Sequence, residues 1–132
     1  MITLNFAQVK LLIVVMFFFT TACSTAPYAL IDGGRSIKND DNNFNVYIVS
    51  IDGKHNLPNR TRQVLEPGTY RLEFSSARPQ VSRGRQELKE LVLEAKACMK
   101  YVITAQHESN LSLVDPDWEL MILEEREIED CK

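Results

Sequence analysis

Few side chains in this sequence could do chemistry. The two histidines are His55 and His107. Neither has a cysteine or second histidine at the spacing of a zinc site. No Gly-x-Ser-x-Gly elbow is present to expose a serine nucleophile. A nucleophile needs a base within hydrogen-bond reach, and the base needs orienting. The histidines are therefore expected at the surface, with no Ser, Cys or carboxylate facing them. Asp115-Pro116-Asp117 has too few oxygen ligands for a calcium loop and reads as a turn before a strand opened by Trp118. Two charge clusters remain. Arg78, Arg83 and Arg85 lie in "SARPQVSRGRQ", and Glu124, Glu125, Glu127, Glu129 and Asp130 crowd the C-terminus. The three arginines are candidate contacts for phospholipid headgroups or an anionic polymer; a solvated loop is the plain alternative. A net charge of −3 argues against a nucleic-acid binder. The residues thus predict no enzyme, no metal and no cofactor. The three cysteines, Cys23, Cys98 and Cys131, leave one thiol to be accounted for.

The elements that must position these residues begin after an apolar block, "LLIVVMFFFTTACSTAP". As a helix, Leu11 to Ala22 spans roughly 18 Å, short of the ~30 Å hydrocarbon core of a bilayer. One lysine, a short apolar centre and small residues before a cut site describe a secretory signal peptide, residues 1–22.

Thr20-Thr21-Ala22-Cys23 resembles the lipobox of bacterial lipoproteins, with Thr20 where the family favours Leu. The resemblance implies that the signal is cleaved before Cys23 and that its thiol takes a diacylglycerol. Ser24 in the next position implies sorting to the outer membrane, periplasmic face. The membrane is then a partner through the lipid anchor. Loss of Lys10 leaves 14 Lys and Arg against 18 Asp and Glu, a net charge of −4. With Cys23 consumed, Cys98 and Cys131 remain as a pair in an oxidising compartment, where a disulfide is expected.

In the mature chain, residues 23–43 contain Ser, Thr, Pro, Gly-Gly and "KNDDNN" with no sustained apolar period. They are expected to form a lipidated N-terminus and flexible tether, with a reach of roughly 25 Å. Residues 44–132 are expected to form one β domain. "FNVYIVSI" places Phe44, Val46, Ile48 and Ser50 on one face and Asn45, Tyr47, Val49 and Ile51 on the other. "DGKHNLPN" reads as a turn and loop, and "RTRQVLE" as a short strand. Pro67-Gly68 fits a type II turn before a strand in which Tyr70, Leu72 and Phe74 alternate with polar residues. Residues 86–97 are ambiguous. Leu88, Leu91, Val92, Ala95 and Met99 fall at helical spacing, whereas Leu91, Leu93 and Ala95 alternate. Two strands joined by a turn near Lys96 to Cys98 are favoured, with a helix over 86–97 as the alternative.

"VYIVSIDGKHNLPNRTRQVLEPGTYRLEF" resembles the PEGA-type β-sandwich module, with Asp52-Gly53 and Pro67-Gly68 as the matching turns. The tail, "CMKYVITAQHE…DPDWELMILEEREIEDC", resembles the ending of a group of small bacterial lipoproteins. These likenesses imply fold and location and assign no catalytic residue. The fold class expected is all-β, a small antiparallel β-sandwich of PEGA-like or immunoglobulin-like form. The function expected is that of a non-catalytic envelope lipoprotein, an interaction or structural module with an envelope protein partner. An accessory subunit of an outer-membrane secretion or pilus assembly, or an enzyme with an unrecognised site, are the alternatives.

Overall fold

The structure is a computed structural model that describes residues 26–55, 58–79, 86–109 and 117–131. Among the described residues nine strands run in chain order: β1 (Ala29–Asp32), β2 (Asn43–Phe44), β3 (Val46–Ile51), β4 (Lys54–His55), β5 (Arg62–Leu65), β6 (Gly68–Ser76), β7 (Leu88–Ala95), β8 (Met99–His107) and β9 (Trp118–Glu127). They form two packed sheets, a small β-sandwich, as expected. One sheet has the order β4-β3-β6-β7, all antiparallel. The other is centred on β8. The whole of one edge of β8 pairs with β9, leaving the other edge to β1 and β2, and β5 follows β1.

Alternation along the strands builds the core. Ile31, Val46, Ile48, Leu72, Phe74 and Ile103 are at most 1% exposed and meet between the sheets with Tyr101, Leu93 and Trp118. Each fully buried side chain of this size contributes about 1.5–3 kcal/mol. The segment 86–97 is a strand: β7 pairs with β6 over eight residues and turns at 96–98 into β8. The turn is pinned by the Tyr101 hydroxyl. It donates to the Glu94 carbonyl at 3.2 Å and accepts the Lys96 N–H at 3.1 Å. Helical spacing lost here because β6 offers a ladder and Leu91, Leu93 and Ala95 fill its core face.

Four expectations are corrected. Residues 23–43 are not all tether. Ala29 and Ile31 are fully buried in β1 between β5 and β8, so the domain begins by Ala29 rather than at Phe44. Four residues are too short to show a period, and β1 was lost among the polar residues around it. The strand also runs parallel to β8, so this sheet is mixed. Pro67-Gly68 is not a type II turn, which needs φ > 0 at the glycine. Gly68 is already in β6, opposite Ala95, and Gly53 alone among the described glycines has positive φ. Finally, β3 does not alternate to its end. A bulge between Ile48 and Ser50 places Ser50 opposite Glu73 and Ile51 opposite Leu72. Ile51 thereby joins the core, and Ser50 turns to the outer face, where its hydroxyl bonds the Glu73 carboxylate. The Asp52-Gly53 turn stands as read. Both residues have φ > 0 (49° and 77°), the signature of a type I′ hairpin, here joining β3 to β4.

Candidate functional site

Three places concentrate chemistry or exposure. The first is a polar clasp where β6 and β8 end. His107 closes β8 and is 5% exposed; Ser76 closes β6 and is 6% exposed. Their Nε2 and Oγ atoms lie 2.7 Å apart. This overturns the expectation that no serine faces either histidine. Sequence could not bring together residues 31 positions apart on different sheets. An Arg78 guanidinium nitrogen lies 3.5 Å from His107 Nδ1. Ser76 Oγ also accepts the Arg78 backbone N–H at 3.2 Å. The imidazole stacks on Trp118 at 6.1 Å and meets Phe44 edge-on at 5.2 Å. Arg78 also lies over the Phe44 ring, 5.9 Å from its centre. Its guanidinium is therefore engaged with this cluster. His55, in β4, is exposed.

The second place is a buried charge cluster on the outer face of the β8 sheet. Asp32 ends β1 and is fully buried. Its carboxylate lies 2.8 Å from Lys100 Nζ, 3.2 Å from Arg62 Nε and 3.5 Å from Arg35 Nε, and accepts the Gly34 N–H at 3.1 Å. Burial pushes the Asp32 carboxyl up, but Lys100, the Gly34 N–H and Arg62 outweigh it and hold its pKa below the usual carboxylate value. Beside this cluster, Asn43 ties the 33–42 segment to β8. Its amide donates to Thr104 and Gln106 and its carbonyl accepts the Ile37 N–H. These groups are matched internally, so the cluster is a fastening. Asp32 and Lys100 were missed from sequence, although each is a single charge beside apolar strand residues.

The third place is an open seam. On one side of the sandwich the sheets are laced together. Gly33 N–H donates to the Thr61 carbonyl, Val46 N–H to Gly33, and Ile48 N–H to Arg60, at 2.7–2.9 Å. On the other side, among the described residues, β7 pairs only with β6 and β9 only with β8. Burial falls along the core face of β9. Trp118 is 4% exposed, Leu120 is partly buried, and Ile122, opposite the fully buried Ile103, is 41% exposed. The two edges part, and β7 does not cover Ile122. Met121 and Leu123 beside it on β9 are exposed as well, whereas the exposed Leu88 and Val92 lie on the outer face of β7. A bulge at Leu123 and the inward Lys89, 5.8 Å over the Trp118 ring, limit uncontrolled edge pairing.

Of the sites read from sequence, Cys98 and Cys131 come together. Their sulfurs are at disulfide distance, with Cα atoms 5.4 Å apart. Cys23, Arg83, Arg85 and the Asp115-Pro116 turn lie outside the described residues. Among the described residues no group of His, Cys, Asp or Glu could hold a metal, and no helix is long and apolar enough to cross a membrane. Comparison with known protein families, with curated proteins and with solved structures finds no match.

Proposed function

We propose that this chain is a lipid-anchored, non-catalytic interaction module of the cell envelope, held through Cys23 on the periplasmic face of the outer membrane. The observation that carries the binding role is the β7/β9 seam. A ten-residue edge strand exposes Met121, Ile122 and Leu123 and, among the described residues, pairs through its backbone on one side only. An extended segment of a partner can add to such an edge through main-chain hydrogen bonds, with side chains entering the gap beside Ile122. The strand carries Glu119, Glu124, Glu125 and Glu127 against Arg126, so a basic segment suits it and a second copy does not. A subunit role in a larger outer-membrane assembly is favoured by the same edge.

The test is a photo-reactive residue at Ile122, compared with one at Val64, which is 56% exposed on β5. Irradiation in the native envelope should give a discrete heavier species from Ile122 and little from Val64, with mass spectrometry naming the partner. Equal or absent crosslinking from both positions would sink the edge as the binding surface.

A further inference from the structure

The start of β1 limits how far the domain can stand from its anchor. Tyr28 is pinned: its carbonyl accepts the Cys98 N–H at 2.7 Å. From Cys23 to Tyr28 is five residues, at most about 18 Å fully extended. A tether of the length expected from sequence is therefore not available to this fold. The chain enters at one end of the sandwich, beside the Cys98–Cys131 pair, and several features share that end. Ala29 is opposite Leu65, so the β5–β6 connection with Glu66 and Pro67 lies there, and Ile128 N–H donates to the Cys98 carbonyl. The opposite end is marked by His107, whose N–H donates to the Asn42 carbonyl, and by Trp118, its partner across the ladder. The nine residues of β8 separate the ends by about 27 Å.

Resting on the reading of Cys23 as the lipid-bearing residue, we infer that the domain stands end-on against lipid headgroups, its disulfide end at the membrane and its Trp118 end away from it. The strands then rise from the bilayer, and the β9 edge is presented upright to a partner that is itself close to the membrane. Charge does not draw this end down, since Glu66, Glu129 and Asp130 are exposed there. The short connection does.

The chain has a single tryptophan, Trp118, so added reporters are easily resolved. The full-length lipidated protein would be placed in vesicles of phosphatidylethanolamine and phosphatidylglycerol that carry a headgroup-attached nitroxide quencher. Glu66→Trp and Asp41→Trp put exposed reporters at the near and far ends. Quenching of the reporter at 66 should be several-fold stronger than at 41, and wild type should be quenched little. A flexible Gly/Ser insertion of about 16 residues after Ser24 should remove the difference. Intact mass reports the diacylglycerol on Cys23. Lipidated protein with equal quenching at both ends would overturn the orientation while leaving the anchor in place. Protein processed without lipid at Cys23 would overturn the anchor and the orientation with it.

Discussion

Asp32 is the residue on which most local order converges. It neutralises Lys100, whose side chain is 8% exposed, and it fixes the turn into Gly33-Gly34 through the Gly34 N–H. Removing one partner of a buried pair leaves the other charge uncompensated, at a cost of about 3–5 kcal/mol. Asp32→Asn should lose stability of that order in urea unfolding at neutral pH. Asp32→Asn with Lys100→Met should recover part of it, because no orphan charge remains. The pH dependence follows from the same group. Its folded pKa is depressed below 3.8, so between the two values the unfolded chain binds more protons. The contribution is therefore complete above the unfolded value and is lost as pH falls through the lower folded one. The wild type should lose stability on that acid limb more steeply than Asp32→Asn. His107 and Ser76 act at the same scale. They close the ends of two strands from different sheets and bury their polar atoms against each other.

At the scale of elements, asymmetry matters most: one side of the sandwich is laced and the other is open. The lacing depends on Gly33. A Cβ there would lie 2.5 Å from the Val46 carbonyl oxygen and 2.6 Å from Val46 Cγ2, and the backbone of β3 has nowhere to move. Gly33→Ala should destabilise by about 1–3 kcal/mol, as overpacking does. Gly68→Ala is the comparison, since its nearest neighbour is the flexible Tyr70 ring at 3.6 Å. Equal midpoints in urea for the two variants would show that the lacing is not tight. The open side has no such constraint. There β9 keeps its apolar residues in reach of solvent, and the bulge, Lys89 and the glutamates of β9 act as local brakes on pairing.

For the whole molecule, the Cys98–Cys131 pair encloses the β8–β9 hairpin and secures the C-terminal end beside the entry of β1. Closing a loop of this length stabilises a chain by about 3–4 kcal/mol in the chain-entropy model. Such a gain is large for a domain that buries one small core. Thermal unfolding with and without reductant should differ by several degrees or more, and Cys131→Ser should match the reduced form. Identical transitions would mean that the bond adds nothing to the folded state. If Cys23 carries the lipid as proposed, the same end sets the geometry at the membrane, because Tyr28 lies only five residues beyond Cys23.

Period and punctuation determined a good part of this protein. Tyr70, Leu72 and Phe74 alternate cleanly because β6 buries one face, and Asp52-Gly53 can hardly be anything but a hairpin turn. The strand character of 86–97 was legible once the turn at 96–98 was weighed with it. The apolar block before Cys23, expected to be a signal, lies outside the described residues. The tertiary structure alone decided the rest, for one physical reason: these features are set by partners distant in sequence. Four residues, Ala29–Asp32, carry too little pattern to be read as a strand, and they become one because β8 and β5 hold them on both sides. The bulge in β3 reverses Ser50 and Ile51 because the β6 ladder demands that register. Asp32 meets Lys100 only once β1 has paired with β8, and Ser76 meets His107 only once the sheets have packed. The openness of β9 is decided in the same way, since whether Ile122 is buried depends on how far β7 stands from it.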